Sequence, residues 1–97
     1  PSTMPMTFAL HQNYPNPFNP TTTISYDLPE QSHITLGIYD LLGKRIKTLV
    51  DQSQDAGRQI VMWDGTDDVG RQVSAGVYLY RIQAGQFTQT RKMLILK

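Results

Sequence analysis

Gln12-Asn13-Tyr14-Pro15-Asn16-Pro17-Phe18-Asn19-Pro20 is the stretch on which the reading of this chain turns. Three prolines in six residues remove backbone donors and fix φ where no helix can continue. The segment is therefore a stiff, extended, multi-turn arm leading into a fold. Asparagine side chains bond their own backbone in turns. An aromatic ring held in so rigid a segment, Phe18, can be pressed into a neighbouring core at little extra entropic cost.

Outward from this arm the punctuation changes. All six prolines lie at or before Pro29 and all seven glycines at or after Gly37, so the first third is stiff and the remainder hairpin-like. Thr22 to Leu28 alternates polar and apolar residues, which puts Ile24, Tyr26 and Leu28 on one face of a strand. His33 to Tyr39 repeats the pattern with Ile34, Leu36 and Ile38 inward. Asp40-Leu41-Leu42-Gly43 reads as a tight turn into a third strand, Lys44 to Val50. Asp55-Ala56-Gly57 is another turn. Arg58 to Trp63 carries apolar residues on both faces and so reads as a central strand.

The loop Asp64 to Gly70 holds three acids and two glycines, and a brief pairing is expected at Gln72-Val73-Ser74 before a bend at Ala75-Gly76. Val77 to Ala84 and Phe87 to Leu96 form the last hairpin around Gly85. About seven short antiparallel strands with no helical periodicity give an all-β sandwich. Trp63 is the expected centre of its core.

A chain of 97 residues holds one domain. Its 39% apolar and 18% charged residues are those of a globular protein, too hydrophobic for a disordered tail. Nine basic residues are spread among eight acids for a net charge of +1, which excludes the electrostatic footprint of a nucleic-acid binder. There is no cysteine, and no apolar run approaches the roughly 20 residues of a membrane span. The chain opens on Pro1 in place of an initiator Met, which reads as a fragment of a longer protein.

The Pro-rich stretch, Ile38-Tyr39-Asp40, Gly43, Leu49-Val50, Ala56-Gly57, Val61-x-Trp63-Asp64-Gly65 and Gly76-Val77-Tyr78 together resemble a known family. It is the family of C-terminal sorting domains of type IX secretion cargo, related to the immunoglobulin-like domain of flagellar hook-capping proteins. The resemblance runs from about Leu10 to Lys97. It implies an immunoglobulin-like sandwich over residues 10–97 and a linker remnant or N-terminal extension over 1–9. Its sorting motif would comprise Tyr14, Pro15, Pro17, Gly76, Tyr78, Lys92 and Lys97. Four residues separate Lys92 from Lys97, where the family pattern often has three. The implied job is to route an upstream cargo domain across the outer membrane through a type IX translocon, followed by removal by a sortase-like protease. The protein would then be secreted or surface-bound, by way of the periplasm.

Other readings of the same residues compete with this one. Catalysis is not expected, with His11 and His33 isolated, no cysteine and no serine in a nucleophile elbow. No cofactor is expected either. Asp64, Asp67 and Asp68 could gather Ca²⁺, but their spacing is not that of an EF-hand, and turn-forming bonds to backbone are the plainer reading. Trp63, Tyr39, Tyr78 and Tyr80 could line a sugar-binding face or fill the core. Lys92 and Lys97 could guard an exposed strand edge or dock a translocon by edge pairing. A hook-capping-like spacer, and a carbohydrate-binding module of a secreted hydrolase, are the rivals to the sorting role.

Overall fold

The computed structural model describes residues 4–96. Among them are seven strands and no helix: β1 (Ala9–Leu10), β2 (Thr22–Leu28), β3 (Ser32–Tyr39), β4 (Arg45–Gln54), β5 (Gly57–Trp63), β6 (Gly76–Ala84) and β7 (Phe87–Ile95). They form two antiparallel sheets, ordered β1-β2-β5 and β4-β3-β6-β7. The fold is the expected all-β, immunoglobulin-like sandwich.

The period-2 alternation sets the layers. Ile24, Tyr26 and Leu28 of β2 face Ile34, Leu36 and Ile38 of β3 and Tyr78, Tyr80 and Ile82 of β6 in one buried cluster. The β6–β7 hairpin closes over Gly85 and Gln86, with Ala84 opposite Phe87. Gly85 has φ +60° while Gln86 stays at negative φ, so the turn is of type II′, which suits the right-handed twist of paired strands. The expected short pairing at Gln72 is a single bridge to Thr66.

Two expectations are corrected. β4 runs on to Gln54, whose side chain accepts a bond from the buried Tyr26 hydroxyl and so ties the end of β4 across to β2. β5 is an edge strand, not a central one: Ile60 and Met62, expected to be covered, are 65% and 63% exposed on its outer face. Only Val61 and Trp63 of that apolar run turn inward.

Candidate functional site

The Pro-rich arm packs along the end of the sandwich because its side chains supply the bonds its prolines lack. Asn13 is only 2% exposed. Its Nδ2 donates to Thr22 Oγ1 (3.0 Å) and to the Pro15 carbonyl (3.2 Å), and its Oδ1 accepts from Gln12 Nε2 (2.7 Å). Its backbone N–H donates to the Tyr80 hydroxyl (2.8 Å), which in turn donates to the His11 carbonyl (2.7 Å). Burial raises the Tyr80 phenol above its ordinary range, so it stays a neutral donor. Phe18 is fully buried and meets Trp63 edge-on, with ring centres 5.9 Å apart; Trp63 meets Tyr78 the same way at 5.9 Å. The stiff arm thus delivers its aromatic ring to the core.

Beyond Phe18 the arm runs beside β7. Phe18 N–H donates to the Leu94 carbonyl (3.0 Å), and Leu96 N–H donates to the Phe18 carbonyl (2.8 Å), a parallel bridge. Leu94 N–H donates to Asn16 Oδ1 (3.0 Å), and Gln12 Nε2 donates to the Lys92 carbonyl (2.9 Å). The outer edge of the terminal strand is therefore occupied from Lys92 to Leu96. This corrects the expectation of an exposed edge there, open to pairing with a partner strand.

The motif residues divide around this seam: Lys92 lies on it, while the Tyr14 backbone bridges Thr23 of β2. Tyr14 is 81% exposed, Pro15 and Pro17 lie on the surface beside it, and Lys92 is exposed on β7. Gly76 pairs opposite Ile95, and Tyr78 opposite Met93. The Tyr78 ring is buried and its hydroxyl donates to the Ser74 carbonyl (2.7 Å). A shallow pocket of about 170 Å³, lined by Asn16, Val77, Lys92, Met93 and Leu94, lies between arm and hairpin. Lys97 lies outside the described residues. Gln12, Asn13 and Asn16, which hold the seam together, were missed in the sequence. The signal that could have found them is a tyrosine, Tyr80, on the inward face of a strand, since a buried hydroxyl needs a partner.

The acidic loop spends its carboxylates on bonds within itself and to the edge of β4. Asp64 Oδ1 accepts from Thr66 N–H (3.1 Å) and Oγ1 (2.6 Å), Asp67 Oδ1 from the N–H groups of Val69 and Arg71, and Asp68 Oδ1 from Thr48 N–H (3.1 Å). Gly65 is required between them: its φ is +80°, and a Cβ would lie 2.6 Å from Gln72 Nε2 and 3.2 Å from the Pro20 carbonyl oxygen. Trp63, Tyr78 and Tyr80 are all buried, and the Arg81 guanidinium lies 5.3 Å from the centre of the Tyr39 ring. Of the two readings of these rings, core packing is the one that Trp63, Tyr78 and Tyr80 take. His33 pairs with Asp51 at the surface (2.7 Å), and His11 with Asp27 (2.8 Å).

These bonds fix a pH dependence. The Thr66 bonds hold the Asp64 carboxyl below its ordinary range, and the Arg71 amide does the same for Asp67. At Asp27 burial opposes ionisation, but the bonds from Arg58 and His11 outweigh it and the carboxyl is again lowered. All three bind protons more weakly folded than unfolded. Their contribution is full above the unfolded carboxylate range, about pH 4, and is lost as pH falls through their folded values. Urea denaturation from pH 7 to 2.5 is expected to show stability falling as the pH drops through the carboxylate range, with a smaller fall in Asp27→Asn.

The FlgD Ig-like domain family matches residues 15–87. No curated protein matches the chain significantly. Among solved structures, the chain is similar to dimeric latent PorU from Porphyromonas gingivalis, with a TM-score of 0.73 and 18% identity over 93% of this chain and 9% of that one. It is similar to FlgD from P. aeruginosa, with a TM-score of 0.61 and 28% identity over 76% of this chain and 58% of that one. PorZ, an essential surface component of the type IX secretion system of Porphyromonas gingivalis, matches with a TM-score of 0.60 and 19% identity over 93% of this chain and 11% of that one. The chain thus spans less than two thirds of each of these proteins, and its likeness to PorU and PorZ is one of fold. With three quarters of its length matched and the same sandwich underneath, the chain belongs to the family of FlgD Ig-like domains.

Proposed function

We propose that this chain is a non-catalytic C-terminal sorting module of a protein exported by the type IX pathway, read by the translocon at the seam between the Pro-rich arm and the β6–β7 hairpin. The observation that carries the reading is the docking of the Pro-rich arm on the β6–β7 hairpin, where Asn16, Val77, Lys92, Met93 and Leu94 line one shallow pocket and Gln12 and Asn16 bond to β7. The likeness in fold to PorZ, a type IX component, supports it. With the β7 edge occupied, recognition acts through side chains on a finished surface, not through strand addition. The sorting domain, expected from residue 10, takes in Ala9 of β1 and Phe8, which stacks on Phe87, and the residues before them lead from an upstream cargo domain. A sortase-like protease removes the module, leaving the cargo secreted or at the cell surface.

An Ig-like spacer in a hook-capping-type scaffold is the second reading, favoured by the 28% identity to FlgD. Fusion of the chain to the C-terminus of a periplasmic reporter, in a bacterium with a working type IX system, separates the two. The intact fusion is expected outside the cell. Lys92→Ala with Lys97→Ala is expected to leave the reporter in the periplasm; Lys92 is exposed, so Lys92→Ala alone should stay within about 0.5 kcal/mol of the parent in stability. Retention of the intact, folded fusion would favour the spacer. Export of the folded double variant would remove the lysines from recognition.

A further inference from the structure

The two sheets have four outer edges, and three of them are met by other parts of the chain. The arm covers β7. On β1, Leu10 N–H donates to Gln89 Oε1 (3.2 Å) and its carbonyl accepts from Arg91 Nε (2.6 Å). On β4, the Ile46 carbonyl accepts from Asp68 N–H (3.1 Å), and Thr48 N–H reaches the Asp68 carboxylate.

β5 is different. Thr23 and Ser25 of β2 direct their backbone groups to Tyr14 and His11. In an antiparallel ladder the intervening residues must bond the other way. Thr22, Ile24, Tyr26 and Leu28 therefore pair with Trp63, Val61, Gln59 and Gly57. The N–H and C=O groups of Arg58, Ile60 and Met62 are left pointing away from the sheet, and none bonds to another described residue. No lysine, proline or bulge guards this run. Its one charge, Arg58, is turned across the face onto Asp27 (2.9 Å). Ile60 and Met62 flank the open groups with exposed apolar side chains.

We propose that this edge binds a second copy of the chain by antiparallel β5–β5 pairing about a two-fold axis at Ile60. The run is complementary to itself. In this register Ile60 faces Ile60 of the copy and Arg58 faces Met62 on either side, so the six open N–H and six open C=O groups of the pair are matched in six bonds. The charges suit it as well, because each guanidinium lies against a thioether and away from its counterpart, and like charges do not meet across the pair. Two apolar side chains per copy are buried, far below the roughly 800 Å² per partner of a standard stable complex. The association is accordingly weak, with Kd on the order of 0.1 mM. It does not depend on the sorting role.

Sedimentation velocity from about 10 µM to about 1 mM is the test, and spans the expected midpoint. The expected result is a shift from monomer to dimer over that range. Ile60→Lys places two like charges directly opposite each other, and is expected to abolish the dimer with Tm unchanged, since Ile60 is largely exposed. Under mild oxidation Ile60→Cys is expected to cross-link, and Met62→Cys to cross-link at least tenfold more slowly, because position 62 faces 58 of the copy. A chain that stays monomeric at the top concentration, as it would if the edge takes a strand of some other protein, overturns the proposal. So does a dimer that survives Ile60→Lys, or equal cross-linking at the two positions.

Discussion

Trp63→Ala is expected to destabilise the protein by about 3–5 kcal/mol, the range for truncating a large core aromatic. The ring is 1% exposed and stands between Phe18 of the arm and Tyr78 of β6, so its loss leaves a cavity touching two separate parts of the chain. Rigid neighbours collapse little. Phe18 is held on either side by prolines, and Tyr78 is pinned by its bond to Ser74, so the cost should fall in the upper half of the range. A second loss adds to the first. Trp63 Nε1 donates to the Thr66 carbonyl (2.9 Å), which anchors the acidic loop, and that loop in turn meets the edge of β4. Trp63→Phe separates the terms: it keeps most of the packing and removes the bond, and should cost about 1–2 kcal/mol. Urea denaturation of both variants decides the matter, and a loss under about 1 kcal/mol for Trp63→Ala would mean that the ring does not organise the core.

How far the fold was legible depends on how local its causes are. The strict alternation of Thr22 to Leu28 and of His33 to Tyr39 fixed both strands and their inward faces, because a period of two has one meaning when one face must be buried. Ile60-Val61-Met62 misled for the same reason. A strand apolar on both faces reads as central, and nothing within the strand distinguishes burial by neighbours from an outer face left bare. The extension of β4 through Asp51-Gln52-Ser53-Gln54 gave no apolar signal, since its inward anchor is a glutamine bonded to a tyrosine hydroxyl.

The seam was half legible. Phe18 announced itself as an aromatic residue in a stiff segment. Asn13 did not, because its burial depends on a hydroxyl 67 residues later in the chain. The covering of β7 likewise rests on a parallel bridge between residues 18 and 95, and no local pattern encodes a contact of that separation. Motif residues could be named from resemblance, but which of them share a surface is a property of the closed sandwich.

Phe18→Ala is expected to have two separable effects. The first is global, again about 3–5 kcal/mol for a buried aromatic ring, which speeds exchange of the most protected amides by roughly 10²- to 5 × 10³-fold. The second is local. Phe18 holds the β7 edge through its own N–H and C=O, and those bonds persist only while its ring fixes the arm against Trp63. Leu94 and Leu96 direct their amides to the arm, while Met93 and Ile95, one residue out of phase, bond to β6 through Tyr78 and Gly76. Loss of the ring should therefore expose the Leu94 and Leu96 amides well before Met93 and Ile95. Asn16→Ala isolates the local part, because Asn16 is exposed and its side chain serves the Leu94 amide. In that variant Leu94 alone should lose protection while Tm holds. Equal exchange at all four amides in Phe18→Ala would mean that arm and hairpin open only together with the whole domain. An arm that releases first leaves a folded sandwich without its seam, and in the export assay such a protein should stay in the periplasm although its two sheets are still formed.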